Sequence, residues 1–189
     1  MINVYDFDKT IYDGDSTLDF YRFCLKNKPN IIVFLPLQIL YFFQYLLGLI
    51  TKTKFKEKFY MFLVAIPNID QFVNKFWDKH EKKIMQWYFM QRTEQDIVIS
   101  ASPEFLLVPI CQKIGMKKTI ASRVDKNTGK YIGVNCYGLE KLKRLREVFP
   151  DEEIDNFYSD SLSDSCLAEI AKKSYLVVSG NLVTWKNSK

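Results

Sequence analysis

Two aspartates one residue apart close the first apolar run of the chain, in "VYDFDKT" at residues 4–10. In an extended segment residues i and i+2 face the same side, so Asp6 and Asp8 point one way and Phe7 the other. Two carboxylates so placed repel unless a cation or a shared proton accompanies them. Alone, such a pair is an ordinary polar strand end running into a turn. Three other stretches add to it. Ser100 directly follows the apolar run in "DIVISAS" (96–102), with Ser102 two residues on. "YSDSLSD" (158–164) carries Asp160 and Asp164, and "GLEKLK" (138–143) carries Lys141 in the first turn of an amphipathic segment. Together these are four carboxylates, a hydroxyl and an ammonium.

The elements that must position them follow from periodicity. "INVYDFD" reads as a buried strand, as do residues 96–102, 117–124, 154–160 and 174–180. Residues 103–115, 139–149 and 165–173 read as helices, Pro103 standing at a favoured first-turn position. The Asn and Gly of 125–133 signal a hairpin turn. From about residue 16 to 91 the pattern is helical, with breaks at 27–30, 48–54 and 66–70 that suggest four helices. Strand–helix alternation predicts an α/β fold with a Rossmann-like, mainly parallel sheet. The helical stretch predicts a second domain inserted after the first strand: residues 1–14 and 93–189 form the core, 15–92 the insertion. In such sheets ligands bind beyond the carboxyl ends of the strands, where all the groups above lie.

In this order, "DFDKT", "ISAS", "GLEK" and "SDSLSD" resemble the four motifs of the haloacid dehalogenase superfamily of phosphohydrolases. The "DGDS" after the first motif and the helical insertion resemble its phosphoserine-phosphatase-like branch, with a helical cap. The resemblance implies a Mg²⁺-dependent phosphatase acting on a small phosphate monoester. Asp6 is then the nucleophile, forming an aspartyl phosphate. Asp8 protonates the leaving alcohol and later activates water. Asp6, the backbone carbonyl of Asp8 and Asp160 hold Mg²⁺, with Asp164 in or beside that shell. Ser100 donates to a phosphoryl oxygen, Ser102 being the alternative. Lys141 neutralises developing charge; the alternative, Lys143, lies nearly on the opposite helix face. Thr10 fixes the loop after the first strand or is a simple turn hydroxyl. Asp15 stands where serine-specific members carry a glutamate for the substrate amine; it would equally cap the first helix. Lys9 replaces a common glycine of the first motif, and the fourth lacks its usual leading glycine. Neither departure removes a reacting group, which weighs against a non-catalytic phosphate-binding relative.

Composition limits the remaining choices. The 189 residues are 48% hydrophobic and 15% aromatic, which excludes disorder. A net charge of +5 is a modest lysine surface that also suits a phosphorylated substrate. No nucleic-acid signature is present. Four scattered cysteines and a lone histidine, His80, do not make a zinc pattern, and reduced cysteines with no basic leader predict a cytoplasmic protein. The apolar residues 31–50 are long enough to cross a bilayer. A single crossing would separate Asp6 and Asp8 from Ser100, Lys141 and Asp160. A buried helix hairpin of the cap is therefore expected. The alternative is peripheral membrane contact through residues 31–50, since Lys26, Lys28, Lys52, Lys54, Lys56 and Lys58 flank the run. On that alternative the substrate would be a lipid-phosphate headgroup.

Overall fold

The computed structural model describes residues 1–185. Six strands form one sheet in the order β3-β2-β1-β4-β5-β6: β1 Ile2–Tyr5, β2 Asp96–Pro103, β3 Lys118–Ser122, β4 Ile154–Ser159, β5 Ala171–Val178 and β6 Asn181–Thr184. The first five pair in parallel, and β6 returns antiparallel along β5. Alternation along the strands sorts side chains onto two covered faces. Ile2, Val4, Ile97, Ile99 and Phe157 pack on one, under α7 (Leu139–Val148) and α8 (Ser165–Ala168). Tyr5, Phe7, Val98 and Tyr158 pack on the other, under α6 (Glu104–Lys113) and the helices between β1 and β2. Because β1 lies between β2 and β4, the chain leaves it toward opposite sides, and the crevice at its carboxyl end is the expected ligand site.

Five α-helices, rather than four, separate β1 from β2: α1 Ser16–Asn27, α2 Leu35–Leu46, α3 Lys52–Phe59, α4 Ile69–His80 and α5 Gln86–Gln91. Three begin on side-chain caps, with Asp15, Thr51 and Asn68 accepting from Leu18 N, Lys54 N and Gln71 N. The apolar cluster on this side of the sheet runs without interruption from Tyr5 and Val98 into Phe20, Phe62, Phe76 and Trp77 of the inserted helices.

Several expectations need correction. The helix read over 165–173 stops after four residues, because the chain beyond it pairs with β4: Ala171 lies opposite Ile154 and Lys173 opposite Asn156. Ser179 and Gly180, both at positive φ (50° and 79°), make the tight turn into β6, a strand the sequence reading missed. Residues 125–133 turn as expected but pair only through the bridge Val124–Tyr131. Gly129 is required there: a Cβ would sit 2.4 Å from the Tyr60 carbonyl oxygen.

The largest correction concerns residues 31–50. They form a helical hairpin with α3, Tyr45 stacking on Phe55 at 5.3 Å, but the hairpin is not buried. Only Ile31 and Gln38 are buried in this stretch. The apolar interior is already closed by α1, α4 and residues 60–65 through Phe20, Phe62, Leu63 and Phe76, so the far side of α2 has nothing among the described residues to pack against.

Candidate active site

The turn after β1 is built so that both aspartates face the crevice. The Phe7 carbonyl accepts from Thr10 N, Ile11 N and Tyr12 N, and Lys9 takes a left-handed φ of 55° where the family's glycine would cost less. Thr10 is more than a turn hydroxyl. Its Oγ1 accepts from Asp160 N at 3.0 Å, locking the end of β4 to the turn after β1.

Lys141, at the start of α7, reaches under the sheet edge. Its Nζ donates to Asp6 Oδ1 and to Asp164 Oδ2, each at 2.7 Å, and all three side chains are buried. Lys143 is exposed and takes no part. Asp164 Oδ2 also accepts from Ser159 Oγ at 2.8 Å, while its Oδ1 is buried with no hydrogen-bond partner among the described residues. Burial pushes the Asp6 carboxyl above the usual carboxylate range, against the pull of Lys141. For Lys141 burial acts downward, but Asp6 and Asp164 win and the ammonium is held more firmly than usual. Asp160 is half-buried beside the same crevice, raised by burial and eased by Lys9.

Asp8 is held apart from this cluster. Its Oδ1 accepts from Ser16 N at 2.6 Å and its Oδ2 from Ser102 Oγ at 2.5 Å. Burial, then the nearby charge of Asp15, raise its pKa, and the Ser102 and Ser16 hydrogen bonds limit the rise. The choice between the two serines of β2 thus resolves into two positions. Ser102 orients Asp8. Ser100 Oγ accepts from Ser102 N at 3.2 Å, which leaves its own proton to give toward the cavity it lines. Asp15 caps α1 through Oδ1 and also lines that cavity.

The cavity has a volume of about 440 Å³ and joins Asp6, Asp8, Ser100, Lys141, Asp160 and Asp164 to residues of the inserted helices. Among these is Lys56 of α3. Its Nζ reaches the carbonyl of Ala101 at 2.8 Å and Asn135 Oδ1 at 3.3 Å. Burial and the neighbouring Lys52 lower its pKa to about 8. In sequence Lys56 is one of four lysines at alternate positions in "KTKFKEKF", and nothing there separates it from Lys54 or Lys58.

Residues 4–169 match the haloacid dehalogenase-like hydrolase family. The chain belongs to the haloacid dehalogenase-like hydrolases. Within them it is similar to Protein CicA of Caulobacter vibrioides, 32% identical over 91 residues; the match spans 44% of this chain and 41% of that protein. By fold, this hydrolase resembles a Bordetella pertussis protein of unknown function (TM-score 0.74, 17% identity, covering 92% of this chain and 87% of that one). It also resembles a phosphoserine phosphatase captured as an analogue of its phospho-aspartyl intermediate (TM-score 0.52, 16% identity, covering 92% and 84%). The core fold of this haloacid dehalogenase-like hydrolase is therefore that of the phosphoserine-phosphatase-like branch.

Proposed function

We propose that the protein is a Mg²⁺-dependent phosphatase that hydrolyses a phosphate monoester through an aspartyl phosphate on Asp6. The observation that carries this reading is the buried Asp6–Lys141–Asp164 bridge at the floor of the cavity, with Asp8 pinned separately at its side. A carboxylate nucleophile must be ionised; burial raises the Asp6 pKa, and the Lys141 ammonium limits that rise and so favours the charged form. A general acid must carry a proton, and the raised pKa of Asp8 favours that form.

In the first step an Asp6 carboxylate oxygen bonds to phosphorus, the phosphorus–alcohol oxygen bond breaks, and Asp8 gives its proton to the leaving alkoxide. In the second a water oxygen bonds to phosphorus, Asp8 takes a proton from that water, and the bond from phosphorus to Asp6 breaks, releasing inorganic phosphate. Ser100 and Lys141 donate to the phosphoryl oxygens during both steps. Lys141 thereby exchanges a carboxylate for a phosphoryl oxygen as partner, with no charged group left bare.

The donor set fits Mg²⁺. It consists of oxygens, and the buried unpartnered Asp164 Oδ1 has capacity to spare. No three carboxylates converge into a cage among the described residues, so water would have to complete the coordination of the ion. Asp6, the Asp8 carbonyl and Asp160 would hold it, with Asp164 beside them. When bound, the ion supplies positive charge that offsets the repulsion between an anionic nucleophile and an anionic ester. The four free cysteines support placing the enzyme in the reducing cytoplasm. The inserted helices would act as a cap that excludes water when closed.

The test is phosphate release from an aryl phosphate by the purified protein, with Mg²⁺ and with EDTA. Mg²⁺-dependent turnover is expected. Turnover undiminished by EDTA would overturn the metal assignment, and no turnover with Mg²⁺ would overturn the phosphatase reading.

A further inference from the structure

Helix α2 is built the wrong way round for a helix on a soluble protein. Its one buried side chain is a glutamine. Gln38 Oε1 accepts from Tyr21 OH at 2.9 Å and its Nε2 donates to the Phe59 carbonyl at 2.8 Å, so the polar residue fastens the helix inward. The outward side carries Leu40, Phe43, Leu46 and Leu47, and the chain continues apolar at Val33 before it and Leu49 after it. All are exposed, Phe43 by 57% and Leu47 by 73%. An apolar surface continued along a whole helix marks a docking surface rather than scattered exposure.

The surroundings indicate what docks there. Residues 20–60 contain seven lysines and arginines and a single acid, Glu57. Lys56 points into the cavity, Lys54 and Arg22 are ion-paired, and Lys26, Lys28, Lys52 and Lys58 remain in the sequence flanking the face. Glu57 is taken by Lys54 at 2.8 Å. A hydrocarbon face inside a cationic collar complements an anionic lipid surface. The stretch Pro29–Leu46 is long and apolar enough to cross a membrane. A crossing does not fit the contacts, because α2 is fastened through Gln38 to α1 and α3, whose polar sides would be drawn in with it. A helix anchored on one side and apolar on the other lies in the interface.

The face adjoins the active-site cavity through Phe42, whose ring centroid lies 6.1 Å from that of Phe43. Phe42 of α2, Phe55 and Phe59 of α3 and Leu18 of α1 line the cavity that ends at Asp6 and Lys141. These three phenyl rings give the cavity an apolar wall that an alkyl chain attached to the phosphate would cover.

We propose that α2 docks in the surface of an anionic bilayer and that the substrate is a lipid-borne phosphate monoester, whose apolar part passes along Phe42, Phe55 and Phe59 while its phosphate reaches Asp6. The substrate half rests on the phosphatase reading; the docking half does not.

The experiment floats the purified full chain with vesicles of phosphatidylcholine, alone or mixed with phosphatidylglycerol or phosphatidic acid. In parallel it measures phosphate release from phosphatidic acid in the vesicles and from a soluble aryl phosphate. Binding is expected to the anionic vesicles and to fall with added salt. The double variant Leu40→Asp, Phe43→Asp, both outside the cavity, should lose about tenfold or more in vesicle binding. It should lose a similar factor on phosphatidic acid, yet retain wild-type aryl-phosphate turnover, which also shows that it folds. A wild-type protein that stays unbound would overturn the docking. So would a concentration-dependent dimer that the same two substitutions dissolve, which would make a second copy the occupant. An enzyme active on aryl phosphate that binds vesicles but releases nothing from phosphatidic acid would overturn the substrate assignment alone. Inactivity on aryl phosphate with Mg²⁺ would instead sink the phosphatase reading, leaving flotation to decide the docking.

Discussion

Asp6, Lys141 and Asp164 occupy positions where folds usually keep hydrocarbon, and Phe43, Leu46 and Leu47 occupy positions where folds usually keep charge. The two inversions differ in how they are compensated. Each buried charge at the sheet edge has an opposite partner at 2.7 Å, so the desolvation penalty of several kcal/mol per ion is offset inside the chain. The outer face of α2 has no such partner among the described residues. The first inversion awaits only the proposed metal ion and the substrate; the second has nothing to complete it among the described residues.

The strongest break in that comparison is at the nucleophile. Asp6→Asn keeps the shape of the side chain and lets Lys141 keep Asp164. Turnover of aryl phosphate should fall by at least about a thousandfold, or ~4 kcal/mol of transition-state stabilisation, with the melting temperature little changed. Near wild-type turnover would remove Asp6 from its role. Next comes Lys141→Met, which leaves two carboxylates buried without their shared ammonium. A loss of about 3–5 kcal/mol in urea unfolding is expected, together with loss of turnover; an unchanged midpoint would mean that the site is wetter than its burial indicates.

The glutamine of α2 gives a smaller, sharper contrast. Gln38→Leu would leave the Tyr21 hydroxyl and the Phe59 carbonyl without their partner, at about 1–3 kcal/mol. A stabilised variant would show that the polar fastening of α2 is not what holds it in place. The smallest effect is at Lys56. With its pKa near 8, the ammonium is charged below that pH and neutral above it. Attraction for a phosphate ester should therefore weaken as pH rises through about 8. KM should climb a few-fold between about pH 7 and 9 with kcat following its own profile, and Lys56→Met should abolish that climb. A KM profile the same in variant and wild type would take Lys56 out of substrate binding.

What the sequence made legible was whatever obeys a local rule. Asp6, Ser100 and Asp160 could be placed because each ends an apolar run, and runs of that kind become neighbouring parallel strands. Lys141 could be preferred over Lys143 because only one of two residues about 200° apart on a helix can face the sheet. The rest depended on long-range choices. Residues 171–173 continue a helical pattern, and only pairing with β4 turns them into strand. Lys56 is distinguished from its neighbours by the Ala101 carbonyl, 45 residues away. The apolar run at 31–50 reads the same whether it closes a core or faces outward. The difference lies in whether other helices have already filled the interior, and they have.

The position of β1 in the middle of the sheet sets an order on folding. Its neighbours are supplied 93 and 153 residues later in the chain, at Asp96 and Asn156. During synthesis the helices that follow β1 can assemble locally and quickly, whereas the strand itself waits, unpaired on both edges, for partners not yet made. Throughout that wait the nascent chain presents the outward leucines and phenylalanines of α2 beside an open strand. For the growing polypeptide, anything that covers α2 early would remove one of the two exposed adhesive elements and favour folding over aggregation.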